Sequence, residues 1–366
     1  MNASRYADRR ANAMTSVVRA GLDGLLVAPG PDLVYLTGHS PPPLERLTML
    51  VMPAGGEPVM IVPTLERPLA EMAPGASGLG ILDWRDARDD PYAIVSDTLG
   101  PGRYAITDHT WASHLLALQR TTADRAFVST GEALPLLRAV KDAEEIERLR
   151  AAGSAADAVF ADVLALGFDG RAERDVAREL ARLLQAHGHQ RADFTVVGSG
   201  PNAASSHHEA GDRRIVARDA VVMDFGGVMD HYCSDITRTV FVGEPTQEQR
   251  EVYDVVAAAQ QAAFEAVRPG VQAQEVDRAA RGVIAEAGYG DRFVHRTGHG
   301  IGLEVHEPPY IVEGDATALE PGMTFSDEPG IYLEGRFGVR IEDQVVVTAE
   351  GAERLNQASR ELTIVA

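Results

Sequence analysis

A chain of 366 residues that is 45% hydrophobic and 24% charged has the length for two domains and the composition of an ordinary globular protein. A net charge of −20 lacks the basic excess that neutralises phosphates, so no nucleic-acid partner is expected. One cysteine, Cys233, excludes an internal disulfide; with no apolar run of membrane-spanning length and no signal-peptide core in MNASRYADRRANAMTSVV, a cytoplasmic protein without a membrane partner is expected.

Residues 5–20 carry a helical pattern, and 24–28 (GLLVA) read as a short buried strand ended by Pro29, Gly30 and Pro31. Asp32 stands where it can cap a short helix through Leu36, and 47–52 and 59–62 are strands on either side of the turn Ala54-Gly55-Gly56-Glu57. A helix from Thr64, another near 91–99, a strand at 103–107, a helix at 111–119 and a strand at 126–128 follow. The alternation predicts a small α/β domain, in which His39, His109 and His114 are surface or capping residues rather than ligands.

Asp142 and Glu145 form a capping-box start to a long helix over 143–166, which places the boundary between Thr130 and Lys141 and gives domains 1–135 and 136–366. A helix at 172–187 and a strand at 194–198 lead into Ser206-His207-His208-Glu209. The stretch 221–242, VVMDFGGVMDHYCSDITRTVFV, reads as two apolar runs: Asp224 ends the first, a turn passes through Gly226 and Gly227, and Asp235, Thr237, Thr239 and Phe241 share a face of the second. Helices at 247–267 and 273–287 precede HRTGHGIGLEVHE at 295–307, DEPG at 327–330 and VRIEDQVVV at 339–347, a strand with Arg340, Glu342 and Gln344 on one face. This order suggests a duplicated α+β unit, although no internal repeat is visible.

Acids on apolar strands are costly to desolvate and repel one another unless a cation joins them. Asp224, Asp235, Glu328 and Glu342, with His299 between glycines, make an oxygen-rich set with one imidazole, which suits Mn²⁺, Co²⁺ or Zn²⁺ better than a thiolate site would. His208-Glu209 and His306-Glu307 lack the second histidine of an HExxH helix. Leu303 stands where a GxGxxG loop needs its last glycine, and there is no GxSxG elbow and no GxxxxGK[ST] loop.

Asp224 in MDFG, Asp235 in SDITRT, His299 in TGHGIGLEVHE, Glu328 in DEPGIY and Glu342 in VRIEDQ resemble the five metal ligands of the pita-bread metallopeptidases, family M24. PDLVYLTG at 31–38 is similar to the N-terminal domain of prolidases, aminopeptidase P and creatinase. The resemblance implies an α/β N-terminal domain followed by an α+β pita-bread catalytic domain holding two divalent ions. Asp224 would bind the first, His299 and Glu328 the second, and Asp235 and Glu342 would bridge them. Manganese is expected first, with cobalt or zinc as alternatives.

By the same resemblance a bridging hydroxide attacks the scissile carbonyl, and Glu328 shuttles its proton toward the leaving nitrogen. His207 and His306 match the substrate-binding histidines, Arg340 matches a pocket arginine, and Thr237 matches a supporting partner of the ligands. Three alternatives stay open from the residues alone: His208 in place of His207, a structural role for His295, and an Arg340 that pairs with a site acid. Asp327 departs from the apolar residue usual before Glu328, and Cys233 from a polar one. The activity expected is hydrolysis of the Xaa-Pro bond, foremost in dipeptides, by a homodimer whose small peptide substrate carries proline second. The rivals are aminopeptidase P acting on longer peptides, a creatinase-like C–N hydrolase, and a binding protein that keeps the fold without catalysis.

Overall fold

The computed structural model describes residues 3–121 and 124–366, and the chain divides between Arg138 and Ala139. Met1 and Asn2 of the amphipathic start lie outside the described residues. In the first unit, β1 (Gly24–Val27), β2 (Met49–Pro53), β3 (Val59–Pro63), β4 (Gly80–Trp84), β5 (Gly102–Ile106) and β6 (Arg125–Ser129) form one sheet in the order β4-β3-β2-β1-β5-β6. β1 runs antiparallel to β2 and parallel to β5, so hairpin and crossover connections are mixed. β4 escapes the sequence pattern because it is an edge strand with alternating, half-exposed residues.

Two local expectations are corrected here. Pro31 begins the helix Pro31–Thr37 with Gly30 as its cap, while the Asp32 carboxylate accepts from Arg138 Nε at 2.7 Å instead of capping. His114 and His39 are buried rather than surface residues; His114 lies 2.9 Å from the Tyr92 hydroxyl and 3.3 Å from the Leu44 carbonyl, a satisfied core histidine.

The second unit opens with the helix Ala143–Val163, whose capping box is complete: Asp142 accepts from the backbone of Glu144 and Glu145, and Glu145 accepts from the Asp142 N–H. That helix and Glu173–Ala186 cover a sheet ordered β18-β10-β8-β7, built from β7 (Arg191–Ser199), β8 (Ala220–Met229), β10 (Ile236–Val242) and β18 (Thr363–Val365), with β9 (Tyr232–Cys233) beside β8. Helices Gln247–Ala266 and Ala273–Glu286 pack with the other sheet, ordered β12-β11-β13-β16-β17. Its strands are β11 (Gly298–Gly300), β12 (Glu307–Ile311), β13 (Thr324–Asp327), β16 (Asp343–Val347) and β17 (Ala352–Arg354); β14 (Gly330–Leu333) and β15 (Phe337–Arg340) form a separate ribbon. Each half is therefore a helix pair on a sheet, which is the duplicated arrangement that the element order suggested.

Packing fixes the register that matters for function. Val221, Met223 and Phe225 of β8 join Val159, Leu180 and Ile236 in one core, so the intervening Asp224 must face the other way. A slip by one residue would bury the acid and expose three large apolar side chains, each worth about 1.5–3 kcal/mol of burial.

The expected turn at Gly226-Gly227 is not there. β8 runs straight through both glycines, and the hairpin turns at Asp230-His231, which both have positive φ (51° and 73°). The glycines serve close approach: a Cβ on Gly226 would sit 2.0 Å from the Ser234 carbonyl oxygen, and one on Gly227 2.4 Å from that of Arg191. Likewise 339–347 is not one strand, because the chain leaves β15 after Arg340 and enters β16 at Asp343, passing Glu342 against Thr237 on the way.

Candidate metal centre

Asp224 on β8, Asp235 just before β10, His299 on β11, Glu328 after β13 and Glu342 between β15 and β16 all line one cavity of about 660 Å³. Ligand atoms of Asp235, His299 and Glu342 lie within 4.8 Å of one another, and all three residues are buried. His299 Nε2 stands 3.5 Å from Asp235 Oδ2 and 3.4 Å from Glu328 Oε1. Its Nδ1 lies 3.2 Å from the Gly300 carbonyl, which can only accept, so the proton belongs on Nδ1 and the Nε2 lone pair faces the acids. The glycines flanking His299 admit neighbouring strands: a Cβ on Gly298 would meet the Ser326 carbonyl at 1.8 Å, and one on Gly300 the Glu307 carbonyl at 2.3 Å.

The electrostatics of these groups fit cations. Burial, then repulsion from Glu342, Asp224 and Glu328, pushes Asp235 well above the ordinary carboxylate range. Burial and the charges of Glu328 and Asp224 do the same to Glu342, and burial first raises Glu328 to about 7. Burial and the neighbouring His306 hold His299 well below its ordinary value, so it is a neutral imidazole ready to ligate. Asp224 Oδ1 is buried with no hydrogen-bond partner among the described residues. Four acids and a neutral imidazole around one space are the donor set that hard or borderline divalent ions take.

Supporting contacts hold the acids in place. Thr237 Oγ1 donates to Glu342 Oε2 at 2.6 Å, and Ser326 Oγ to Glu328 Oε1 at 3.2 Å. Arg340 lines the cavity, but its guanidinium is engaged: it donates to Asp224 Oδ2 at 2.6 Å, Thr237 Oγ1 at 3.0 Å, the Tyr332 hydroxyl at 2.8 Å and the Ser206 carbonyl at 3.4 Å. The alternative left open for it, pairing with a site acid, is the arrangement found. His295 also lines the cavity and is held by the Arg296 carbonyl and the Tyr332 hydroxyl, both at 2.7 Å; burial lowers its pKa to about 3.

His207 and His306 are exposed residues on the cavity wall, and the rings of His306 and His299 are 4.0 Å apart. Burial, then the charge of Arg296, lowers the pKa of His306. His208, the neighbour that sequence could not separate from His207, turns to Glu173, with Nε2 2.8 Å from its carboxylate. The side chain after His306 is a brace: Glu307 meets Lys141 Nζ at 2.6 Å, both fully buried, with Gly302 packed against them.

Other parts of the wall carry no signal in the sequence. Phe194 and Val305 give it apolar surface, and Arg296 brings a guanidinium stacked 4.6 Å over the Tyr310 ring. Arg296 lies inside HRTGHG, where nothing local shows that it forms no ion pair among the described residues. Asp327 is buried beside Asp343 with neither carboxylate oxygen hydrogen-bonded among the described residues, and burial first holds it well above the ordinary range. Cys233 packs with Val228 and Ile301, and burial raises its thiol pKa.

A model of the family described as metallopeptidase family M24 matches residues 147–349, and one described as the creatinase/prolidase N-terminal domain matches 9–140. The chain is 48% identical to a probable dipeptidase PepE from Mycobacterium tuberculosis, covering 100% of this chain and 98% of that protein. It is 37% identical to an Xaa-Pro dipeptidase from Pyrococcus furiosus, covering 93% and 95%. Among solved structures, dipeptidase PepE from Mycobacterium ulcerans superposes with a TM-score of 0.95 at 45% identity, covering 100% of this chain and 99% of that one.

Proposed function

The chain belongs to metallopeptidase family M24, and from that membership we propose that it hydrolyses the Xaa-Pro bond of dipeptides in the cavity walled by Asp224, Asp235, His299, Glu328 and Glu342. Asp224 would hold one divalent ion and His299 and Glu328 the other, with Asp235 and Glu342 available to both. When bound, such a pair of ions supplies Lewis acidity and lowers the pKa of water. Manganese is the ion proposed, on the oxygen-rich donor set.

The protein's own residues supply the rest. His207 and His306 donate to the scissile carbonyl oxygen as it gains charge. Glu328 carries a proton between water and the leaving proline nitrogen. Phe194, Val196 and Val305 offer the apolar wall that a proline ring needs.

The observation that carries the dipeptide reading is Arg296. Arg340, the pocket arginine of the family resemblance, is spent on Asp224 and Tyr332. Arg296 lines the same cavity, is oriented by Tyr310, and forms no ion pair among the described residues. A guanidinium fork suits a carboxylate bidentately, and the free C-terminus of an Xaa-Pro dipeptide is that group. A charged hydrogen bond is worth about 1.5–3 kcal/mol, so kcat/KM should fall by a factor of about 100 when the dipeptide is amidated or extended by one residue. Arg296→Ala should close most of that gap by slowing the dipeptide. Equal or faster cleavage of the extended peptide by the wild type would instead assign aminopeptidase P activity.

A homodimer is proposed from the kinship of the first domain with that of prolidases, and light scattering should return twice 39.2 kDa. A cytoplasmic setting is proposed on the single, buried thiol. Among the described residues no helix is long and apolar enough to cross a membrane.

A further inference from the structure

His207 makes no hydrogen bond of its own among the described residues, so the backbone on either side must set where its imidazole points. Both flanks are tethered. The Ser206 carbonyl accepts from Arg340 Nη1 at 3.4 Å, and the His208 ring is held by Glu173 at 2.8 Å.

Glu173 is more than a partner for His208. It is the first residue of the helix Glu173–Ala186, is 0% exposed, and is far from the metal ligands in sequence. Its Oε1 accepts from the Ser199 N–H at 2.8 Å, the Ser199 hydroxyl at 2.6 Å and Asn202 Nδ2 at 3.1 Å. Its Oε2 accepts from Asn202 Nδ2 at 3.1 Å, His208 Nε2 at 2.8 Å and the Gly211 N–H at 3.5 Å. These donors span the end of β7, the 3₁₀ turn Gly200–Ala204 and the loop that carries His207. Burial alone would raise this carboxyl, but the hydrogen bonds from Ser199, His208 and Asn202 outweigh it and hold the pKa below the ordinary value. The group therefore stays an anion that gathers one loop around itself.

The geometry points to Glu173 as the positioning residue for His207: a buried carboxylate that never meets substrate but fixes, through His208, Asn202 and Ser199, where the His207 imidazole stands on the cavity wall. The inference rests on the peptidase reading for its kinetic arm and is independent of it for its spectroscopic arm.

In the metal-loaded full chain, Glu173→Ala should lower kcat on an Xaa-Pro dipeptide by about tenfold or more, with metal content unchanged. Combined with His207→Ala, the same change should cost less than about twofold, because what it acts through is already gone. An equal loss in both backgrounds, or wild-type kcat in Glu173→Ala, would overturn the assignment and leave Glu173 a stabiliser of the fold. Glu173→Gln keeps the shape while turning donors toward Asn202 and Gly211, and His208→Ala cuts one tether; both serve where Glu173→Ala fails to fold. Histidine-labelled NMR supplies the arm that needs no turnover. The His207 ring signal, identified by its absence in His207→Ala, should shift or broaden in Glu173→Gln while that of His306 stays in place. An unmoved His207 signal would also overturn the inference, whereas a wild type inactive on every Xaa-Pro dipeptide would overturn only the activity.

Discussion

Glu342→Ala and Asp235→Ala should lose metal and activity together, in a protein whose wild type takes up nearly two equivalents of Mn²⁺ by elemental analysis. Both side chains face the common space beside His299, and Glu342 is pinned there by Thr237. Loss of a residue that merely supports a ligand costs about 10–100-fold in metal affinity, so removing a ligand shared by two ions should exceed that. Wild-type stoichiometry near zero, or undiminished metal in Glu342→Ala, would refute the centre. A stability effect accompanies it. Glu328 is raised from 4.5 to about 7, so across that window the folded protein binds more protons than the unfolded one. The metal-free protein must then lose stability as pH rises from 4.5 toward 7. Cations replace those protons, so Mn²⁺ should raise Tm, and by more at pH 7 than at pH 5.

His207→Ala and His306→Ala should each lower kcat by about 10²–10³-fold, the loss seen when an oxyanion donor is removed, and should retain both metal equivalents. The two rings lie on the wall outside the acid cluster, and His306 is 4.0 Å from His299 without sharing its carboxylates. Loss of metal in both variants would make them ligands instead. Unchanged kcat would remove both histidines from the oxyanion-stabilising role.

Much of this was legible in the chain because its signals are local. The capping box at Asp142 and Glu145, the helices of the second unit and the five separated ligand motifs each need only a few neighbouring residues to be recognised. What escaped depends on distant partners. Gly226 and Gly227 look like a turn until the Ser234 and Arg191 carbonyls are seen pressing on them. The unbroken pattern of 339–347 hides a change of sheet at Glu342, because alternation continues across the crossing. Arg340 and Arg296 are both arginines in motif stretches, and only their distant partners, Asp224 for one and the Tyr310 ring for the other, tell them apart. His114 and Glu173 are polar residues whose burial no hydropathy pattern announces.

The Lys141–Glu307 brace also puts a clock on the enzyme's synthesis. The two residues are 166 positions apart, yet their contact fixes the start of β12 immediately after His306. At roughly 5–20 residues per second a ribosome needs about 8–33 s to travel from one to the other. Glu328 and Glu342 emerge later still. Through that interval Lys141 has no Glu307 to pair with, and the set of acids around the cavity is incomplete. Proteolytic competence arrives only after Glu342 has been made, when the later strands of the catalytic unit reach back to its start.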